Sequence, residues 1–446
     1  MNDLVFIVPG IMAVLLLISI FLRRHVKFFR KTLMPASIIA GVLGFILINT
    51  GVIPIEQKIF EDLAFHIMNL SFMSITLAST RKEEGSQEKG ALKGGIWLAL
   101  MWSGLYSLQA FCGGVLGELF RAVGFDFSGF LGSLNASGFA QGPGQALAIG
   151  RTWEGFQIVD AAQVGCFYAA VGYLSATLVG VPICNALRKK NVIVHDVGEY
   201  GQAMEFGVYT EQGKSMGCQT SHRCNVDTLT THISILMGTY LLTYLVVRML
   251  CSVITDQSLA DNLYNMMFIW GIFSANIVRV FMRRSKCDYL IDRELQTSIT
   301  NFMTDTLIIA CMMSISVQMI FQYMLPIAVV CVVVVALTAV VGYRLAKRSG
   351  QYYAERFMAL FGFATGTAVT GMLLLRMADS EYRTSVAAEV VWWNILQMLT
   401  AVVMGIAVTA PAIGFWTWMG INVVAMLLCF GGAEICGRKM RGERSR

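Results

Sequence analysis

The sequence predicts an all-α integral membrane protein of about eleven transmembrane helices, arranged as two inverted five-helix repeats that each contain a glycine-rich re-entrant loop. Two observations predict this fold class. Of the 446 residues, 56% are hydrophobic and 14% are charged, and the mean hydropathy is +0.63, which is typical of multi-span membrane proteins and not of soluble enzymes. In addition, two related glycine-rich stretches occur, one in each half of the chain.

The apolar segments are long enough to cross a bilayer, which takes about 20 residues per helix. They cover 4–22, 33–53, 62–80, 94–117, 157–187, 229–250, 263–282, 297–323, 325–346, 384–410 and 412–434. Lys and Arg cluster in alternate connecting segments, which the positive-inside rule places in the cytoplasm. We therefore expect a multi-pass protein of the inner (plasma) membrane, with its N-terminus outside and its C-terminus in the cytoplasm.

The long polar segment 188–228 separates the two halves and is predicted to be a cytoplasmic connector. Residues 1–187 form the first five-helix repeat and residues 229–410 the second, while 411–446 add one further helix and a basic tail. Because five is an odd number, the second repeat begins on the opposite side of the membrane and lies inverted.

The glycine-rich stretches occupy the same place in each repeat, between its fourth and fifth spans. "GFAQG" at 138–142 corresponds to "GFATG" at 362–366, and an arginine follows each, Arg151 and Arg376. The apolar spans that come next also run in parallel, which identifies an internal repeat.

Both stretches predict re-entrant loops, at 129–150 from the outside and at 356–379 from the cytoplasm. Glycines and Pro143 interrupt a helix, and non-helical backbone is tolerated at membrane depth only where protein or a water-filled cavity surrounds it. Tight helix packing would explain one such stretch. Two related copies in symmetric positions favour loops that meet near the midplane and form a solute site.

At these residues the chain resembles the bacterial sodium/glutamate symporter family, and the resemblance extends to "LMPASIIAGVLGF" at 33–45, "GIFSAN" at 271–276 and Asn301. It implies paired inverted repeats, two re-entrant loops and sodium-driven symport. The chain departs from the family pattern in three places. "SGFAQGPG" at 137–144 lacks the histidine of a Ser-Gly-Gly-His-Gly-Thr-like loop, Val369 replaces a small polar or proline residue, and the last helix exceeds ten spans.

The expected function is secondary active transport, not catalysis: sodium-coupled symport of glutamate or a similar small carboxylate by alternating access. The substrate could instead be another small amino acid or dicarboxylate, and the coupling ion a proton in place of sodium. A different class, an ion channel with paired re-entrant loops, would use them as a selectivity filter, but the loops differ and carry no ring of charges. An intramembrane enzyme would need a nucleophile with a base, or a metal cluster. Only scattered candidates occur.

Polar and glycine residues of the two loops are the candidate binding residues, because helix N-termini bind anions and oxygens of Ser, Thr, Asn and Gln bind sodium. The candidates for the substrate are Ser137, Gln141, Gly142, Gly144, Arg151, Thr365, Gly366, Thr367 and Arg376. The candidate sodium ligands are Asn135, Thr370, Asn276, Asn301 and Asp305.

Each of these candidates has a structural alternative. Asp305 is an intramembrane carboxylate, which is costly unless a partner or a cation accompanies it. The arginines would otherwise anchor at the interface, and the hydroxyls would bond their own backbone. We expect no resident cofactor and no nucleic-acid partner. The expected partners are a glutamate-like anion, the sodium ion, the lipid bilayer and, in a carrier with one moving and one static domain, a second copy of the chain.

Overall fold

The computed structural model describes residues 3–78, 89–193, 217–220, 224, 226–254, 260, 263–379, 383–396 and 401–442. Every regular element in these ranges is helical, which confirms the all-α class. Most of the predicted connector 188–228 and the end of the basic tail lie outside the described residues. Among the described helices, six are long and apolar enough to cross a membrane: Leu4–His25, Ala91–Ala122, Ala161–Lys189, Thr228–Val253, Val317–Ala346 and Phe415–Arg441.

The described helices, numbered in chain order, are α1 Leu4–His25, α2 Lys27–Lys31, α3 Ala36–Asn49, α4 Gln57–Ala78, α5 Lys89–Ala122, α6 Gly129–Ser133, α7 Asn135–Gln141, α8 Pro143–Glu154, α9 Ala161–Leu178, α10 Gly180–Lys189, α11 Thr228–Val253, α12 Met267–Arg284, α13 Arg293–Met313, α14 Val317–Ala346, α15 Tyr353–Thr365, α16 Ala368–Ala378, α17 Val386–Leu396, α18 Ala401–Val408, α19 Ala410–Ile413 and α20 Phe415–Gly442.

One predicted helix boundary differs from the boundary in the structure. We expected the eighth apolar segment to continue to residue 323, but α13 ends at Met313 and α14 begins at Val317. The reason is local capping: the Ser316 side chain accepts a hydrogen bond from the Met319 N–H, 3.2 Å away, and starts the new helix. Pro326, close to the expected boundary, lies inside α14.

The described chain forms two compact units, and each unit takes helices from both halves of the sequence. Unit 1 comprises the described residues of Met1–Ile18, Ile39–Glu84 and Tyr209–Ser314. Unit 2 comprises the described residues of Ser19–Ile38, Gly85–Val208 and Ile315–Arg446. Unit 1 therefore contains α4 and α11 to α13, whereas unit 2 contains α5 to α10 and α14 to α20.

In unit 1, α4 packs against α11, α12 and α13. The buried apolar side chains at these contacts are Met73, Leu77, Leu236, Ala275, Met282, Ile291 and Ile299. Hydrogen bonds join the helices beside this cluster. Ser74 Oγ lies 2.7 Å from Thr300 Oγ1 and accepts from Gln296 Nε2 at 2.7 Å, and His66 Nδ1 lies 2.6 Å from the Tyr240 hydroxyl. These hydrogen bonds satisfy Ser74, Thr300 and Gln296 within the core.

In unit 2, the long helix α5 packs against α17, α20 and the helices around the glycine-rich stretches. Small residues allow the close approach of α20: Gly104 faces the Phe430 ring, and a Cβ at Gly114 would lie 2.7 Å from Met419 Sδ. The last helix, α20, is therefore packed against the other helices of unit 2.

Candidate functional site

The first glycine-rich stretch forms a broken helical hairpin, called hairpin 1 and consisting of α6 to α8, Gly129–Glu154. The break between α7 and α8 lies at Gly142, whose φ of +82° is a conformation that favours glycine. Pro143 starts α8, where a missing N–H costs nothing. The sequence Gln141-Gly142-Pro143 thus stops one helix and starts the next.

The second stretch forms hairpin 2, consisting of α15 and α16, Tyr353–Ala378, with its break at Gly366 and Thr367. Thr367 caps α16 in a reciprocal capping box, in which the Thr367 N–H donates to Thr370 Oγ1 at 2.8 Å. The two arms cross closely because glycines face each other: a Cβ at Gly362 would lie 2.6 Å from the Gly371 Cα.

The two breaks lie next to each other within unit 2. A Cβ at Gly142 would lie 2.7 Å from Thr367 Cγ2, so the backbone of one break contacts the side chain of the other. Tyr173 of α9 donates a hydrogen bond to Thr367 Oγ1 at 3.3 Å and lies close to Gly142. The structure therefore brings Gly142 and Thr367, two of the predicted substrate residues, into one place.

One face of α5 joins both hairpins. Trp102 Nε1 donates to the Phe363 carbonyl at 3.2 Å in hairpin 2, and the Tyr106 hydroxyl lies 3.1 Å from Ser137 Oγ in hairpin 1. Gln109, two turns beyond Trp102, donates from Nε2 to the Ala364 carbonyl at 2.8 Å. The sequence did not single out Tyr106 or Gln109; the available signal was a polar amide within an apolar span.

Three amide side chains near the breaks have buried polar atoms without a hydrogen-bond partner among the described residues. They are Gln141 Oε1 and Nε2, Asn135 Oδ1 and Gln109 Oε1. The side chains of Asn135 and Gln109 are 0% and 1% exposed. Leaving such a group unpaired costs about 1–3 kcal/mol, so an ion, a solute or an ordered water is expected to satisfy it.

The hydroxyl groups of hairpin 2 donate to their own backbone. Thr365 Oγ1 donates to the Phe361 carbonyl at 2.7 Å, and Thr370 Oγ1 donates to the Gly362 carbonyl at 2.9 Å. Their oxygens keep acceptor capacity, because a hydroxyl oxygen has two lone pairs. Gly366 is required at this point, since a Cβ there would overlap Thr370 Oγ1.

The two predicted arginines lie away from the breaks. Arg151 is nine residues after Gly142 in α8, and Arg376 is nine residues after Thr367 in α16, a separation of about 13 Å along each helix axis. Both occupy the last turn of their helix, where a cation interacts favourably with the helix dipole. Gly144, by contrast, lies in the first turn of α8, next to the break.

The other predicted sodium ligands belong to unit 1. Asn276 donates to the Ile272 carbonyl at 2.9 Å and accepts from Arg279 Nη1 at 3.4 Å. Asn301 and Asp305 are exposed on α13. The loop candidates, including Asn135 and Thr370, belong to unit 2.

The comparisons with known proteins give one match. A family model described as sodium/glutamate symporter matches residues 6–384, which include both hairpins and end before α17. Among curated proteins and solved structures, no match was found.

Proposed function

The chain belongs to the sodium/glutamate symporter family, whose members are membrane transporters, and we propose that it uses a sodium gradient to carry glutamate or a similar small carboxylate by alternating access. The observation that carries this proposal is the meeting of two broken helices at Gly142 and Thr367, beside the unpartnered amide of Gln141. Broken helices of this kind hold solute and coupling ions in inverted-repeat carriers.

The proposed topology has eleven spans in two inverted repeats, 1–187 and 229–410, in the plasma membrane with the N-terminus outside. The composition of the compact units supports it. Unit 1 takes most of the first three predicted spans of each repeat, and unit 2 takes the fourth span, the hairpin and the fifth span of each repeat. Two halves that divide in the same way are expected of a duplicated five-helix element.

The carboxylate of the substrate is proposed to bind at hairpin 1. No side chain caps α8 at Gly142, so the N–H groups of Gly144 and Gln145 have no partner within the helix and form the positive end of its dipole. In hairpin 2 the capping box already satisfies the N–H groups of Thr367 and Thr370, of which Thr370 corresponds to Gln145 of hairpin 1. The two hairpins thus differ in chemistry: α8 offers donors, and hairpin 2 offers threonine oxygens.

Sodium is proposed to bind to neutral oxygens of the same region, with Asn135 Oδ1 as the first ligand. Hard cations select oxygen ligands, and the sodium charge offsets that of the carboxylate. Arg151 and Arg376 lie about 13 Å along their helices from the breaks. We propose that they attract the anion as it approaches the site and do not contact the bound carboxylate. Unit 2, which holds both hairpins, is proposed to be the part that moves.

Binding of labelled glutamate to the purified protein, in sodium and in choline, tests the proposed site. We expect sodium-dependent binding that unlabelled dicarboxylates or amino acids of matching size compete away. Gln141→Ala is expected to lose this binding, whereas Gln322→Ala, an exposed glutamine of α14, keeps it. Sodium-dependent binding that Gln141→Ala leaves intact would contradict the site, and binding of another carboxylate only would replace the substrate.

A further inference from the structure

Gln109 is a single residue that contacts both hairpins. Its backbone carbonyl accepts a hydrogen bond from Asn135 Nδ2 of hairpin 1 at 3.0 Å. Its side-chain Nε2 donates to the Ala364 carbonyl of hairpin 2 at 2.8 Å and to Thr338 Oγ1 of α14 at 3.0 Å. The residue is 1% exposed, so these bonds form away from solvent.

Gln109 completes the end of a broken helix. Ala364 is one of the last residues of α15, and the last four carbonyls of a helix have no partner within it. The Gly362 carbonyl has the Thr370 hydroxyl and the Phe363 carbonyl has Trp102 Nε1. The amide of Gln109 is the side-chain donor for the carbonyl that follows them.

The orientation of two amide groups is fixed by carbonyl oxygens, which only accept. Asn135 Nδ2 donates to the carbonyls of Gln109 and Gly132, at 3.0 and 2.7 Å, and Gln109 Nε2 donates to that of Ala364. Exchanging N and O in either amide would place an oxygen against a carbonyl oxygen. The atoms left over are therefore oxygens, Asn135 Oδ1 and Gln109 Oε1, and neither has a partner in the part of the chain that the structure describes.

Two bare oxygens whose neighbouring N–H groups stay occupied form an oxygen-only set, which hard cations select; a water that donates two hydrogen bonds is the competing occupant. We propose that Gln109 is a sodium ligand through Oε1, together with Asn135 Oδ1, and that it couples ion binding to both hairpins. This inference rests on the proposed function and extends it. With sodium bound, the amides of Asn135 and Gln109 are held in place, and through them Gly132 of hairpin 1 and Ala364 of hairpin 2. Without sodium, the two amides lose their shared ligand, and the connection that Gln109 makes between hairpin 1 and hairpin 2 weakens.

The alternative is that Gln109 acts only as a hydrogen-bond donor that supports hairpin 2. Two substitutions separate these roles. Gln109→Leu removes both the oxygen and the N–H, whereas Gln109→Glu keeps the oxygen and removes the amide N–H. Trp102→Phe is the matched control, because it removes the neighbouring tie to the Phe363 carbonyl and touches no proposed ligand.

The measurement is the sodium concentration that gives half-maximal thermal stabilisation of the purified protein, with choline keeping the ionic strength constant, since a ligand that binds the folded state raises its melting temperature. We expect Gln109→Leu to raise this concentration by about 10-fold or more, as loss of a metal-site contact does. Gln109→Glu is expected to need clearly less sodium than Gln109→Leu, because it keeps the ligating oxygen although its second oxygen faces the Ala364 carbonyl. Trp102→Phe is expected to stay near the wild-type value.

An unchanged sodium requirement in Gln109→Leu would overturn the proposal, and so would a Gln109→Glu protein as impaired as Gln109→Leu. If Gln109→Leu does not fold, the comparison of Gln109→Glu with Trp102→Phe decides between ligand and support. If sodium neither stabilises the wild-type protein nor drives its uptake of substrate, the sodium coupling of the proposed function is itself overturned. A sodium response that does not depend on Gln109 is a different result, and it overturns only the role of Gln109.

Discussion

Arg356 and Glu389 form a bidentate ion pair inside unit 2, with Nε 2.7 Å from Oε2 and Nη2 2.7 Å from Oε1. The side chains are 8% and 1% exposed. Ser385 Oγ donates to Glu389 Oε1 at 2.9 Å, and Arg356 Nη1 donates to the Ser349 carbonyl at 2.8 Å. The pair joins the first arm of hairpin 2 to α17, so the position of the hairpin depends on it.

Glu389→Gln is expected to destabilise the protein strongly, because it leaves the Arg356 charge buried without its counter-ion. The expected loss is about 3–5 kcal/mol of unfolding free energy, measured by denaturant or thermal unfolding in detergent. Glu434→Gln is the control: its partners Arg438, Arg348 and Arg441, at 3.0, 3.4 and 3.9 Å, are largely exposed, and such surface pairs contribute about 0–1 kcal/mol. Equal losses in the two variants would show that the buried pair has no special role.

Gly142→Ala is expected to abolish most transport, because a Cβ there combines a positive φ of +82° with a clash against Thr367 Cγ2. Gly414→Ala provides the comparison, since Gly414 has a φ of +87° and nothing within 4 Å of an added Cβ. That control isolates the conformational cost, about 1–3 kcal/mol for this glycine-only region of backbone conformation. Substrate uptake by both variants is the measurement, and an active Gly142→Ala would refute the close meeting of the breaks.

Thr370→Val is expected to weaken hairpin 2 by about 1–2 kcal/mol, the usual cost of a lost helix cap. The hydroxyl accepts from the Thr367 N–H and donates to the Gly362 carbonyl, and valine keeps the shape without either bond. Thr306→Val is the control, because that hydroxyl bonds only the Phe302 carbonyl of its own helix. The measurement is the melting temperature of each variant. A decrease for Thr370→Val no larger than that for Thr306→Val would argue against the cap.

Asp379→Ala is expected to destabilise the segment that follows hairpin 2 by about 1–3 kcal/mol, the cost of leaving buried polar groups without a hydrogen-bond partner. Asp379 accepts from the N–H groups of Arg383 and Thr384 and from the Thr384 hydroxyl, at 2.7–2.9 Å. Asp379 is buried, whereas Glu154 of hairpin 1, which accepts from the Ala162 N–H at 2.9 Å, is only half-buried. Unfolding of Asp379→Ala and Glu154→Ala, compared side by side, is expected to show the larger loss at Asp379; the reverse order would contradict this ranking.

The helix break at Gly142 can be located from the sequence because it is encoded by local chemistry. Glycine at a positive φ and proline at the first position of a helix act within a few residues, so Gly142 and Pro143 can be recognised without tertiary structure. The end of α13 was missed for the opposite reason: a single capping residue, Ser316, outweighs a continuous apolar pattern.

The contacts between segments distant in the chain could not be predicted from the sequence. Gln109 and Ala364 are 255 residues apart, and nothing in the pattern of α5 distinguishes a glutamine that joins two hairpins from one that only packs. The same holds for Arg356 and Glu389, whose pairing becomes evident only when α15 and α17 are placed side by side. The two compact units likewise cut across both halves of the chain.

Uptake of labelled glutamate into proteoliposomes under an imposed sodium gradient tests the central claim most directly, with a proton gradient and unlabelled competitors run in parallel. We predict saturable uptake that requires the sodium gradient and is lost in Gln141→Ala. Uptake driven equally well by the proton gradient alone, flux that does not saturate, or sodium-driven uptake that survives Gln141→Ala would contradict a sodium-coupled carrier with its site at the two breaks.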